Sequence, residues 1–140
     1  MNRPTLHIVI ACLYDRNGQV LVVRKRGTRY FMLPGGKVEG AETPLATLAR
    51  ELHEELGMHI EAEAFDELGE FEAPAANEPG HWVMAKAFIA PLHQTVEPLA
   101  EIEELAWLNP HAPTPSYPLA PLLREQLLPQ LRAVPALADA

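Results

Sequence analysis

Hydrophobic positions in the first 25 residues predict two neighbouring strands. Residues 5–14 are apolar and β-branched almost throughout, which is typical of a strand that is buried on both faces. The Asn17-Gly18 pair that follows is a strong signal for a tight turn. Residues 19–25 are again mostly apolar, so we expect them to return as the second strand of a hairpin.

A helical pattern with clear end signals comes next. Thr43 is a typical N-cap residue, Pro44 suits the first helical position, and Gly57 is placed to end the helix in a left-handed conformation. We therefore predict a helix over residues 44–56. Its apolar side chains recur at helical spacing and form one stripe that must face the sheet, namely Leu45, Leu48, Ala49, Leu52 and Leu56.

The rest of the chain predicts more strands and a second helix. We expect one or two strands within residues 58–72, another over 81–90 and a short one over 104–108. Residues 73–80 read as a loop. A second helix is predicted by leucines that recur every four residues, at Leu119, Leu123, Leu127 and Leu131.

The order of these elements predicts an α+β or mixed α/β sandwich. Pro129 should stop or kink the second helix near its end, and residues 132–140 read as a loose tail. At 140 residues, without an internal repeat, the chain is expected to form one domain over residues 1–140.

Composition and charge narrow the function classes. A net charge of −8 argues against general affinity for nucleic acid or an anionic membrane, and no apolar run reaches the ~18 residues of a membrane span. The single cysteine, Cys12, lies in an apolar run and reads as a buried thiol. Because no disulfide can form within the chain, a reducing cytoplasm is the expected location.

Three glutamates of the predicted helix, Glu51, Glu54 and Glu55, fall within five positions. Like charges so close together repel one another, and a solvated acidic face is the ordinary interpretation. The surroundings favour a site instead, since Mg²⁺ takes carboxylate oxygens and the preceding Gly35-Gly36 pair lets the backbone approach a ligand closely. Arg50 is four residues before Glu54 and can pair with it.

This segment resembles the Nudix box, G-x5-E-x7-R-E-U-x-E-E-x-G-U with U apolar, over residues 36–58. Chance agreement at all nine positions is expected less than about once per billion start positions. The matching residues are Gly36, Glu42, Arg50, Glu51, Leu52, Glu54, Glu55, Gly57 and Met58.

The resemblance implies a Nudix fold, an α/β/α sandwich with a mixed β-sheet flanked by helices and a loop-helix-loop catalytic motif. It implies hydrolysis of a nucleoside diphosphate linked to another group, with Mg²⁺ as the cofactor and Mn²⁺ as an alternative ion. By analogy, Glu54 and Glu55 bind the metal, and Glu51 either shares it or acts as the base. The Gly35 carbonyl would be a further ligand, and Arg50 and Glu42 would orient the glutamates.

Residues outside the box give a less specific signal for the site. Family members often supply another carboxylate from a later loop, for which we expect Glu101, then Glu104, with Glu103 also present. A basic group precedes the box, namely Arg24, Lys25, Arg26 and Arg29, and Lys37 lies inside it. Arg24 and Arg26 share a face of the predicted strand and, with Arg29 and Lys37, are candidates for substrate phosphate, although surface charge is an equal alternative. Tyr30 is a candidate for stacking on a base, with core packing as its alternative.

The Nudix box defines the chemistry but not the substrate. The compact chain resembles MutT-type nucleoside triphosphate pyrophosphohydrolases, whereas Pro74, sixteen residues past Met58, has a spacing seen in ADP-ribose pyrophosphatases. A nucleotide-sugar substrate or a non-catalytic nucleotide sensor is a further alternative. The expected partner is a small nucleotide and not a nucleic-acid polymer or a membrane. A homodimer stays open, since many members dimerise.

Overall fold

The computed structural model describes residues 4–137 and contains six strands in one mixed sheet. The strands are β1 (Thr5–Tyr14), β2 (Val20–Lys25), β3 (Gly35–Lys37), β4 (Asp66–Pro74), β5 (Trp82–Pro91) and β6 (Ile102–Leu108). Five of them run in the order β4-β5-β1-β2-β6, and β3 pairs with β1 beside this path. The parallel pair β1–β5 makes the sheet mixed, as predicted.

Strand β1 separates two cores because its side chains alternate between the faces of the sheet. Val9, Ala11 and Leu13 pack on one face, and Ile10 and Cys12 pack on the other. The prediction of a strand buried on both faces is therefore confirmed for residues 9–13, all of which are buried. Burial raises the pKa of the Cys12 thiol well above its usual range, which keeps it protonated.

Helix α1 (Pro44–Leu56) covers the face to which Val9 points. It has the predicted bounds, the Thr43 hydroxyl accepts from the Ala46 amide at 3.2 Å, and Gly57 ends it at φ 69°. Three leucines of its apolar stripe, Leu48, Leu52 and Leu56, are fully or almost fully buried against the sheet. Burial of this stripe fixes which helix face remains for the acidic side chains.

The opposite face is covered by the C-terminal helical segment, which completes the α/β/α sandwich. The four leucines at spacing four are all buried. The segment begins as a π-helix (Leu122–Leu127) and continues as α2 (Leu128–Arg132), with Pro129 in the first turn of α2. Pro129 therefore lies at the change of helix type and does not stop the helix.

Two predicted elements differ in extent from the structure. The predicted β1–β2 hairpin is present, but it has a single residue pair, Tyr14–Val20, because β3 and β6 take the remaining partners. Residues 58–65 are not a strand but contain a short 3₁₀ helix (Ala62–Ala64), and the strand begins at Asp66.

The tail prediction is wrong for the part that can be compared. A 3₁₀ helix, Pro135–Leu137, lies within the predicted tail, and Leu137 is fully buried. The remaining tail residues, 138–140, lie outside the described residues. Within residues 4–137, no helix has the length and apolar character needed to cross a membrane.

Candidate functional site

Two glycines of β3 hold the backbone against β1 and against the acidic face of α1. Gly35 has φ 147°, and a side chain there would place Cβ 2.1 Å from the Val9 carbonyl oxygen. At Gly36, a Cβ would lie 2.3 Å from Cδ of Glu51. Gly35 must therefore be glycine because backbone atoms occupy the space of a side chain, whereas at Gly36 a side chain would displace the flexible Glu51 carboxylate.

Glu55 is the most buried carboxylate of α1, with 2% of its surface exposed. Its Oε1 accepts a hydrogen bond from the Gly35 amide at 3.1 Å. Burial raises the pKa of Glu55 to about 7, and the charges of Glu51 and Glu101 act in the same direction. The Gly35 hydrogen bond and the charge of Lys25 oppose this shift without cancelling it.

Glu51 is half-buried beside Gly36, and burial is the main cause of its raised pKa. Its Oε1 accepts from Nη1 of Arg50 at 2.8 Å, which lowers the pKa in part. Glu54 is half exposed and lies 3.7 Å from Arg50 Nη1. The pairing of Arg50 with Glu54 that the spacing predicts is therefore present, although it is the longer of the two contacts.

Arg50 joins the glutamates to the loop before the helix. Its Nε donates to Glu42 at 2.8 Å, and its Nη2 donates to Glu42 and to the Lys37 carbonyl. Hydrogen bonds from Arg50 are the main reason that the pKa of Glu42 falls to about 2. Glu42 also accepts from the Thr47 hydroxyl at 2.9 Å. The guanidinium thus uses its planar fork to brace the loop against α1.

A groove of about 320 Å³ opens beside Gly35 and Gly36. We call it the groove; its charged and polar lining comes from several elements and includes Lys25, Arg26, Thr28, Lys37, Asn77, Glu78 and Glu101. Nζ of Lys25 lies 3.2 Å from Oε1 of Glu101, and Nζ of Lys37 lies 3.6 Å from Oε1 of Glu78. The groove therefore brings lysine side chains of β2 and β3 next to the acidic side chains of α1, Glu51, Glu54 and Glu55.

Glu101 is brought to the groove by a tight turn. The Leu99 amide donates to the Glu55 carbonyl at 2.9 Å, and the Arg26 amide donates to the Glu101 carbonyl at 2.8 Å. Between them, Ala100 has φ 52°, the sole positive φ of a non-glycine residue within residues 4–137. Glu103 and Glu104 do not line the groove; they pair with Arg26 and Arg24. Of the three expected carboxylates, Glu101 alone faces the site.

Several basic or aromatic candidates lie elsewhere. Arg24 does not line the groove, because its guanidinium binds Glu104 and the Thr28 carbonyl. The predicted shared face of Arg24 and Arg26 is wrong, since β2 ends at Lys25 and its register shifts between Arg24 and Lys25. Arg29 and Tyr30 also lie outside the groove lining and face each other, 5.6 Å from guanidinium carbon to ring centre.

Lys25 was not selected from the sequence, although it lines the groove and acts on the pKa of both Glu51 and Glu55. Strand alternation predicted that Arg24 faces the substrate phosphate. The bulge after Arg24 shifts the alternation by one residue, so that Lys25 faces the groove instead.

A second unpredicted feature adjoins the groove, an apolar cavity of about 90 Å³ that we call the chamber. Its walls include Ile8, Val83 and Leu123.

A family model described as NUDIX domain matches residues 4–131. The chain belongs to the Nudix family. It is 34% identical over 119 residues to the CTP pyrophosphohydrolase of Escherichia coli (strain K12), a match that covers 81% of this chain and 82% of that protein.

Two further comparisons cover very different shares of this chain. The RNA pyrophosphohydrolase of Tolumonas auensis is 45% identical over 56 residues, which are 40% of this chain and 30% of that protein. The chain thus matches about a third of the length of such relatives. The NUDIX domain of Shewanella oneidensis NrtR, solved with ADP ribose, has a TM-score of 0.68 and covers 94% of this chain and 88% of that chain. At 20% identity, this likeness shows the fold.

Proposed function

We propose that the chain is a divalent-metal-dependent pyrophosphohydrolase that cleaves the diphosphate linkage of a nucleoside diphosphate joined to another group. The observation that carries the proposal is the buried Glu55 next to Glu51, at the edge of a groove with Lys25 and Lys37 in its wall. Two confined carboxylates repel each other unless a cation neutralises them, and the lysines suit the phosphates of a substrate.

The donor chemistry fits Mg²⁺, or Mn²⁺ as an alternative ion. Glu51, Glu54, Glu55 and the Gly35 carbonyl offer hard oxygen donors, and the raised pKa of Glu55 reflects a carboxylate whose charge is not compensated. Within residues 4–137, no three acidic, His or Cys side chains stand close enough together to form a metal site as they are placed. Glu51 would therefore exchange its bond to Arg50 for the ion, which when bound would polarise a phosphoryl oxygen and acidify water.

The protein groups around this site have separate roles in the proposal. Either Glu51 or Glu101 accepts the proton of the attacking water, and Lys25 holds Glu101 near Glu55 through its 3.2 Å ion pair. Lys25, Arg26 and Lys37 bind the substrate phosphates along the groove. Arg50 keeps the glutamates and the loop in register and does not contact the substrate.

A nucleoside triphosphate is the substrate that we favour. It is supported by the match to a CTP pyrophosphohydrolase, which extends over most of both chains. The alternative is ADP-ribose or a nucleotide sugar, for which the bound ligand of the NrtR domain and the spacing of Pro74 are the supporting observations. A non-catalytic sensor is less favoured because all box glutamates are present. A cytoplasmic location and a homodimer stay predictions.

The test is product release from a panel of nucleoside triphosphates, ADP-ribose and nucleotide sugars, with Mg²⁺ and with EDTA. We expect hydrolysis that requires the metal and is lost in Glu55→Gln. Glu63→Gln, on the exposed 3₁₀ helix away from the groove lining, is the matched control and should keep full activity. Full turnover by Glu55→Gln would refute the metal assignment, and saturable binding without turnover of any nucleotide would favour the sensor.

A further inference from the structure

Two exposed histidines, His53 and His59, lie side by side at the C-terminal end of α1. We call them the histidine pair. Their ring centres are 4.9 Å apart, and the ring planes are inclined by 45° to each other. Both side chains line an open surface pocket of about 420 Å³, and neither lines the groove. Neither residue has a role in the function proposed above.

Hydrogen bonds fix the backbone of each histidine. The His53 carbonyl accepts from the Gly57 amide at 3.0 Å, within the cap that ends α1. The His59 amide donates to Oε1 of Gln94 at 3.0 Å, and Nε2 of Gln94 donates to the His59 carbonyl at 2.9 Å. Met58, which precedes His59, is buried with 3% exposed. Because both backbones are held in place, little further ordering is needed for the two rings to bind one ligand.

The ring nitrogens of the histidine pair are free to bind a ligand. Within residues 4–137, no hydrogen bond or ion pair uses a ring nitrogen of either residue. By contrast, the rings of His81 and His111 each contact a backbone carbonyl oxygen through a nitrogen. The histidine pair therefore combines two neighbouring imidazoles with unused nitrogen atoms.

The distance between the rings suits one shared metal ion. Imidazole nitrogen binds a first-row transition metal at ~2.0–2.1 Å, which places the ring centre ~3.2 Å from the ion. For coordination angles between square-planar and tetrahedral, the two ring centres would then be about 4.5–5.2 Å apart. The observed 4.9 Å lies within this range. A tilted aromatic contact without an ion spans the same distance, so metal titration must distinguish the two arrangements.

The charge around the histidine pair also favours a cation. The pair lies at the C-terminal end of α1, where the helix dipole stabilises positive charge, and the chain as a whole carries a net charge of −8. Arg50 lines the same pocket, but its guanidinium is neutralised by hydrogen bonds to Glu42 and Glu51, at 2.8 Å each. Repulsion by Arg50 is therefore small.

We propose that the histidine pair is a metal site for a transition-metal ion of the Cu²⁺, Ni²⁺ and Zn²⁺ class, with water completing the coordination shell. Imidazole nitrogen suits these ions, whereas Mg²⁺ takes oxygen ligands, so the pair and the carboxylates of the groove select different metals. The bound ion joins the last turn of α1 to the segment after Gly57. It thereby stabilises the helix that carries Glu51 and Glu55.

The first experiment titrates the whole chain, without an affinity tag, with Cu²⁺, Ni²⁺ and Zn²⁺ in calorimetry. Excess Mg²⁺ is present throughout so that it occupies the carboxylates of the groove. We expect one ion per chain, with Cu²⁺ bound most tightly. His53→Gln and His59→Gln should each weaken binding at least about tenfold, since one of two protein ligands is lost. His7→Gln, at an exposed position of β1, is the matched control and should keep the wild-type Kd.

Three results of this titration would overturn the inference. The first is the same Kd in wild type and in both variants of the histidine pair. The second is a wild-type Kd above about 1 mM, which would indicate an adventitious ion only. The third is binding that is lost in Glu55→Gln but kept in His53→Gln, which would assign the ion to the groove.

Two further measurements report on the pair directly. In NMR spectra, Zn²⁺ should shift the ring-proton resonances of His53 and His59 and leave those of His7 unchanged. In thermal unfolding, Zn²⁺ should raise the Tm of the wild type but not of His53→Gln or His59→Gln. Unshifted rings of the pair, or a rise in Tm that persists in both variants, would contradict the inference. All of these readouts are independent of nucleotide turnover, so failure of the proposed hydrolase would leave them unchanged.

Discussion

Glu55 predicts an unusual dependence of stability on pH when no metal is present. Its pKa is raised from 4.5 to about 7, chiefly by burial, so the folded protein holds this proton more tightly than the unfolded chain. Below pH 4.5 the group is neutral in both states and contributes no penalty. As the pH rises from 4.5 to 7, the unfolded chain ionises first and stability falls, and above pH 7 the full penalty is present.

The magnitude follows from the two pKa values. A rise from 4.5 to about 7 corresponds to about 3 kcal/mol in the free energy of unfolding. Glu55→Gln removes the charge while its amide oxygen still accepts from the Gly35 amide. In EDTA at pH 8, we expect the variant to be more stable than wild type by up to about 3 kcal/mol, a rise in Tm on the order of 10 °C. At pH 4.5 the two should be nearly equal.

The assay is urea unfolding followed by circular dichroism, at pH 4.5 and pH 8, with EDTA and with Mg²⁺. We expect Mg²⁺ to stabilise the wild type at pH 8 much more than the variant, because the ion neutralises the charge that the variant lacks. Glu63→Gln, at an exposed position, should follow the wild type throughout. A variant that is no more stable than wild type at pH 8 would show that burial does not penalise the ionised form of Glu55.

Four further substitutions test the groove and the box. Gly36→Ala should reduce kcat at least about tenfold with little change in Tm, because its Cβ displaces the Glu51 carboxylate, a flexible group. Gly35→Ala should instead destabilise the protein by about 3 kcal/mol or more, since its Cβ meets backbone at an unfavourable φ. Arg50→Lys should lower both kcat and Tm, because an ammonium cannot bond Glu42, Glu51 and the Lys37 carbonyl together. Lys25→Ala should raise KM for the nucleotide about tenfold, because Lys25 faces the groove.

Two control variants replace a basic residue in the same way at positions outside the site. Arg124→Lys, at an exposed position of the C-terminal segment, should change neither kcat nor Tm. Arg24→Ala should leave KM unchanged, because Arg24 binds Glu104 outside the groove. If Arg24→Ala raises KM as much as Lys25→Ala does, the phosphates do not lie along the groove.

The sequence by itself determined the elements that depend on local signals. Helix α1 has its predicted bounds because the Thr43 cap, Pro44 and Gly57 act within a few residues of the helix ends. Strand β1 was predicted to be buried on both faces because its residues are apolar at nearly every position and do not alternate with polar ones, as in a central strand that is covered on both sides. The box spacing predicted the family because residues one to four positions apart on a helix keep their relation in any tertiary structure.

Only the tertiary structure decided which residues from distant segments meet. The bulge after Arg24 turned Lys25 toward the groove, and the turn through Ala100 brought Glu101 there instead of Glu104. The predicted hairpin partner β2 keeps one residue pair with β1, while β3 pairs with residues 8–10 of β1 and β5 pairs along its whole length. The chamber depends on leucines from the C-terminal segment closing over β1, a contact across more than 100 residues that no local pattern reports.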